Sequence, residues 1–243
     1  MKTSPVITYL ALGVPLLGFV AWRLRTPPLE SITAAVLIDR SDSMQNPCTS
    51  LVDTTGRILR LSADRTGSTL AVFVTGDSAS ANQSVLLTSK EAPMRTRMLK
   101  GSQLLQLERA AFADELKRRC VQQPTTRTSP IYSALKDAVS HLRGGDLRAT
   151  DRRLFVVSDL RENVDPVITK ALSQPLGTKT KGPLPIDNTA VSVTICGYAQ
   201  TRDHQSLQNE RLIEVWKKLF ADPTLVRFEP FCTSTGAAQI PRS

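Results

Sequence analysis

Aromatic residues make up only 5% of the 243-residue sequence, too few and too scattered for the stacking platform on which single-stranded nucleic acid is held. Histidine is scarcer still, with His141 and His204 both falling in or beside expected helices, away from every motif. The four cysteines, Cys48, Cys120, Cys196 and Cys232, are too widely separated for a Cys-x-x-Cys zinc or redox pair. No glycine-rich run ending in Lys-Ser or Lys-Thr is present, so the phosphate cradle of a P-loop has no residues. Acids are outnumbered, 22 against 31 Lys and Arg, giving a net charge of +9. That excess favours acidic partners, but the basic residues are dispersed along the chain and form no single block.

With 41% hydrophobic and 22% charged residues, the chain can bury one good core, and one domain plus an anchor is expected. Pro5 to Trp22 is almost wholly apolar, flanked by Lys2 on one side and Arg23 and Arg25 on the other. At about 1.5 Å per residue such a run just crosses a bilayer's hydrocarbon layer. A cleaved signal would have small residues ahead of its cleavage site, whereas Trp-Arg-Leu-Arg follows here, so an uncleaved single-pass anchor is expected. The expected organisation is an anchor over residues 1–25, a stiff Pro-Pro linker over 26–31, a globular domain over 32–232 and a flexible tail over 233–243. The flanking charges are balanced and leave the anchor's orientation open.

The domain's first element shapes the rest. Ala34 to Ile38 is apolar and stops on Asp39, after which oxygen-bearing side chains fall at every second position: Asp39, Ser41 and Ser43. In an extended segment alternate side chains leave on one side, so a carboxylate and two hydroxyls can converge. Hard, mostly neutral oxygens suit Mg²⁺ or Mn²⁺. The same residues would also serve as ordinary caps of a following helix.

Periodicity predicts helices over Ser50–Ala63, Ser102–Gln122, Pro130–Leu142 and Ser206–Phe220. It predicts strands over Thr69–Thr75, Ser84–Thr88, Arg153–Ser158, Thr189–Cys196 and Leu225–Phe231, the first two as an irregular hairpin. Arg153–Ser158 again runs straight into an acid, Asp159. The Pro- and Gly-containing stretch from Ser173 to Asn188 reads as an exposed loop. Strands alternating with helices imply an α/β fold: a doubly wound, mostly parallel sheet with one antiparallel edge strand and helices on both faces. An even number of cysteines allows two disulfides or four buried thiols.

These pieces resemble the von Willebrand factor type A (vWA) family, whose metal-ion-dependent adhesion site opens with Asp-x-Ser-x-Ser after the first central strand. Asp39-Arg40-Ser41-Asp42-Ser43 matches that motif, Ser129-Pro130-Ile131-Tyr132-Ser133-Ala134-Leu135 is similar to the family's second, and Asp159 in Val-Val-Ser-Asp-Leu to its third. The resemblance spans about Ile32 to Phe231. It implies that Ser41, Ser43 and the hydroxyl of Ser129 or Thr128 ligate Mg²⁺ or Mn²⁺, with Asp39 and Asp159 holding the ion directly or through water. Three departures stand out: Asp42 and Leu160 occupy positions where the family commonly has glycine, and Ser129 stands for the usual threonine. On such a fold Cys48 and Cys120 lie toward one end of the sheet, and Cys196 and Cys232 end the last two strands, implying the pairs 48–120 and 196–232 and an extracytoplasmic domain.

The function implied is a membrane-anchored module, without catalysis of its own, that binds a protein partner through a metal ion accepting the partner's Asp or Glu carboxylate. Two other functions compete with it. One is a metal-assisted hydrolase built on Asp39 and Asp159; the other is a basic nucleic-acid binder that keeps the fold without metal.

Overall fold

The computed structural model describes residues 31–44, 46–61, 69–75, 84–90, 110–122, 125, 127–144, 150–175, 183–198 and 206–232. The expected anchor, the linker up to Glu30, the tail from Thr233 and the first part of the helix expected from Ser102 lie outside these residues. Among the described residues no helix is long and apolar enough to cross a membrane.

Six strands form one sheet: β1 (Ile32–Ile38), β2 (Thr69–Val74), β3 (Ser84–Lys90), β4 (Asp151–Val157), β5 (Ser192–Cys196) and β6 (Val226–Glu229). Their spatial order is β3-β2-β1-β4-β5-β6. β2, β1, β4, β5 and β6 run parallel, and β3 pairs antiparallel with β2, with a register shift between Ala71 and Phe73. The helices are α1 (Pro47–Leu61), α2 (110–122), α3 (Ile131–Gly144), α4 (Pro166–Leu172) and α5 (Ser206–Lys218).

The apolar run Ala34–Ile38 within β1 has a direct cause. Successive strand residues face opposite sides, and both sides of this sheet are covered. Ala35 and Leu37 join a core with residues of α3, α4 and α5. Ile32, Ala34, Val36 and Ile38 join a second core with residues of α1 and α2. Every residue of β1 is buried, and its one polar member, Thr33, is its most exposed at 8%.

Several strand ends shift by a few residues, β5 starting at Ser192 and not Thr189, and two helices differ in ways that have a physical reason. Helix α1 starts at Pro47, three residues before Ser50, because proline fits a helix's first turn, where its missing N–H costs nothing. Helix α4 went unanticipated: Pro-Val-Ile-Thr-Lys-Ala-Leu is short and rich in β-branched residues, which are weak helix formers. It forms because Asp165 caps it, its carboxylate accepting from the amides of Val167 and Ile168, and because Ile168 and Ala171 are buried.

A cross-fold tie secures the far edge. Arg57 of α1 donates to both carboxylate oxygens of Glu229 on β6, at 2.9 and 3.2 Å, and Arg227 adds a third contact at 3.2 Å. Both ends of the Arg57–Glu229 pair are largely buried. Glu229→Gln keeps the shape and removes the charge, and should cost about 1.5–3 kcal/mol in urea denaturation. An unchanged midpoint would mean that the pair adds nothing.

Candidate metal centre

The direction of sheet growth changes at β1. From it the chain turns to β2 on one side, while β4 and then β5 extend the sheet on the other. Open α/β sheets present their sites outside the carboxyl ends of strands at such a switch. Here the backbone ladder continues past the strand ends: Asp39 N–H donates to Val157 O at 2.8 Å, Thr75 N–H to Ile38 O at 3.0 Å and Ser158 N–H to Cys196 O at 3.1 Å. Residues 39, 75 and 158 therefore stand on neighbouring strand ends.

Asp39 is the hub, with 1% of its surface exposed. Its Oδ1 accepts from the Ser41 amide at 2.9 Å, from Thr75 Oγ1 at 3.2 Å and from Ser129 Oγ at 3.3 Å. Its Oδ2 accepts from Ser158 Oγ at 3.1 Å. The hydroxyls of Ser41 and Ser43 lie 2.9 Å apart. Burial, and secondly the charge of Asp159, push the Asp39 carboxyl up to about 6, against the pull of the Ser41 amide and the Ser158 and Ser41 hydroxyls.

The structure thus gathers Asp39, Ser41, Ser43, Ser129 and Asp159 at one sheet end. Ahead of α3 the hydroxyl of Ser129 reaches Asp39, and Thr128 stands half-buried beside it. Asp42 is exposed, and its backbone is not left-handed. Among the described non-glycine residues that conformation belongs to Asn46, Leu160 and Ala190. Sequence reasoning missed Thr75 and Ser158, both hydroxyl residues directly following or ending apolar strands.

Asp159 is fully buried. Its Oδ1 accepts from the Arg161 amide at 3.1 Å, but its Oδ2 is buried with no hydrogen-bond partner. A buried carboxylate oxygen without a donor is costly, and a cation removes that cost. Two carboxylates beside the hydroxyls of Ser41, Ser43, Thr75, Ser129 and Ser158 form a hard oxygen set that fits Mg²⁺ or Mn²⁺ and suits zinc or copper poorly.

Two residues of the loop after Asp159 fasten it to the turn that carries Ser129. Asn163 accepts from the Ser129 amide at 2.7 Å and donates to Arg127 O at 2.9 Å. Glu162, 4% exposed, accepts from the amides of Tyr132 at 2.8 Å, Val164 at 2.8 Å and Asp165 at 3.1 Å. Burial raises its carboxyl above the ordinary range, and these three amides oppose the shift. Glu162→Ala would strand three donors and should cost about 2–4 kcal/mol in chemical denaturation. A loss under about 0.5 kcal/mol would show that water replaces the carboxylate.

The cysteines pair as 48–120 and 196–232, with Cα separations of 5.7 and 5.0 Å, and none is free. Arg40, inside the first motif, is buried and its guanidinium donates to Cys48 Sγ at 2.8 Å.

No family model matches the sequence, and no curated protein matches it either. Solved structures with a similar backbone course include the pilus adhesin SpaC of Lactobacillus rhamnosus GG, at TM-score 0.47 and 11% identity over 85% of this chain and 29% of that one. Another is the manganese-loaded TRAP protein of Plasmodium vivax, at 0.44 and 13% over 82% and 68%. A third is proximal thread matrix protein 1 of the mussel byssus, at 0.41 and 12% over 84% and 44%. The chain spans less than half the length of the first and third. All three are distant likenesses of fold.

Proposed function

We propose that this chain is a vWA-like module that binds a protein partner through a divalent metal ion, Mg²⁺ or Mn²⁺. The hydroxyls of Ser41, Ser43 and Ser129 would hold the ion, with Asp39 and Asp159 placed to do so directly or through water. An ion held largely by neutral oxygens keeps much of its charge and can accept a carboxylate from outside. The partner would supply that Asp or Glu. The observation that carries this reading is the buried, partnerless Oδ2 of Asp159, beside a second buried carboxylate already ringed by hydroxyl and amide donors. Thr75 and Ser158 orient Asp39, and neither is needed as a ligand.

Two disulfides fit an oxidising compartment, and the apolar run over Pro5–Trp22 fits a single-pass anchor. Together they support the reading of a membrane-anchored module outside the cytoplasm. A hydrolase would need a general base besides its metal ligands, and the two buried carboxylates of the site are both engaged as ligands in this reading.

The test is calorimetric titration of the chelator-treated full chain with Mg²⁺ and with Mn²⁺. Saturable one-to-one binding is expected, weakened by Ser129→Ala and by Asp159→Asn. Absence of binding to the wild-type chain would overturn the reading.

A further inference from the structure

Leu160 follows Asp159, and its backbone is left-handed, with φ of 62°. An L-residue with a bulky side chain adopts this conformation only when its surroundings impose it. Three contacts do so. The side chain is fully buried, in a core it shares with Trp216. Its N–H donates to Ser158 Oγ at 2.9 Å. Its carbonyl accepts from Trp216 Nε1 at 2.9 Å. Ser158 Oγ in turn donates to Asp39 Oδ2 at 3.1 Å, so a continuous line of bonds joins Trp216 on α5 to the centre of the site.

We infer that Trp216 is a positioning residue for the metal centre: its indole N–H locks the strained turn at Leu160, fixes where the Asp159 carboxylate points, and so couples the seating of α5 to metal binding. The inference rests on the metal-centre reading above. A glycine after Asp159 would adopt the left-handed turn unaided; leucine needs the lock. Coupling of this kind is reciprocal, so metal binding also tightens the contact between α5 and the turn.

The test uses Mn²⁺ titration of the full chain, well below the melting temperature. Trp216→Phe keeps a ring in the core, removes the donor and leaves the Leu160 carbonyl buried without its partner. Leu219→Val trims the same core on the same side of the sheet and is the control for general loosening. The Kd for Mn²⁺ should rise about fivefold or more in Trp216→Phe, the equivalent of one lost hydrogen bond, and stay within about twofold in Leu219→Val. A second readout leaves the lock untouched. The chain has two tryptophans, so in Trp22→Phe the emission comes from Trp216 alone. It should change saturably with Mg²⁺ at the calorimetric midpoint, and not when Asp39→Asn is added.

Equal affinity of Trp216→Phe and wild type overturns the inference, as does an equal loss in Leu219→Val or a metal-insensitive Trp216 emission. If the wild-type chain binds no metal, the metal-centre reading itself fails, and that is seen before any variant is made.

Discussion

Asp39→Asn should abolish divalent-metal binding, a loss of about 100-fold or more in affinity, while leaving the chelated protein as stable as wild type or more so. The hydrogen-bond pattern allows both. The side-chain oxygen of asparagine can keep the Ser41 amide and the Thr75 hydroxyl that now point at Oδ1. Its amide faces the hydroxyl of Ser158, which can rotate to accept. What disappears is a buried charge next to a second one. In the metal-free protein the Asp39 carboxyl is pushed up to about 6 from an ordinary value of 3.8, first by burial and then by Asp159.

The sign follows from where the proton sits. Between those two values the folded chain holds a proton that the unfolded chain has released. The associated stability is fully present below the lower value and is lost as pH rises through about 6, a change of about 3 kcal/mol. Chelated wild type should therefore weaken between about pH 4 and pH 7, and Asp39→Asn should lack that component. Mg²⁺ at 100 times its wild-type Kd should return about 2.7 kcal/mol to wild type and no more than about 0.4 kcal/mol to the variant. Thermal melts with Mg²⁺ and with chelator, at several pH values, measure every part of this. A chelated variant much less stable than wild type would show that Asp39 is mainly a structural acceptor.

How much of this arrangement could be read from the sequence depends on the range of the forces involved. β1 and β4 were legible because burial on both faces leaves the apolar runs Ala34–Ile38 and Leu154–Val157, each followed within two residues by an acid that is itself buried. Asp39, Ser41 and Ser43 do come together, but not by a strand's period: β1 ends at Ile38, and a turn over 42–43 brings the two serine hydroxyls to each other. Thr75 and Ser158 could not be read from the sequence: a hydroxyl at a strand end is ordinary until register brings it beside Asp39, and register is a property of paired strands. Leu160 was visible as a departure from glycine, but its strain and its tie to Trp216 depend on contacts 56 residues apart. Helix α4 was hidden because its cap and its two buried residues outweigh a poor intrinsic propensity.

The two disulfides separate stability from site geometry. Cys48–Cys120 closes 72 residues and Cys196–Cys232 closes 36. Loop entropy grows with the logarithm of length, so one doubling is worth only about 0.6 kcal/mol. Replacing either pair with alanines should cost about 2–5 kcal/mol in urea denaturation, with the two losses close to each other. Their effects on the metal centre should differ. Cys48 lies in the first turn of α1 and joins it to α2 through Cys120, and Arg40, between Asp39 and Ser41, rests its guanidinium on Cys48 Sγ. Without the bond, the buried guanidinium loses its contacts with the sulfurs of Cys48 and Cys120, and the loop from Asp39 to Ser43 loses that support. Cys196 ends β5, and among the described residues no hydrogen bond runs from its sulfur to the first motif. Cys48→Ala with Cys120→Ala should therefore weaken Mg²⁺ binding about tenfold, the scale of a lost supporting contact. Cys196→Ala with Cys232→Ala should leave it within about twofold, as expected for a site whose supporting contacts survive. Equal weakening in both would mean that the centre depends on the stability of the whole sheet end rather than on the Arg40 contact.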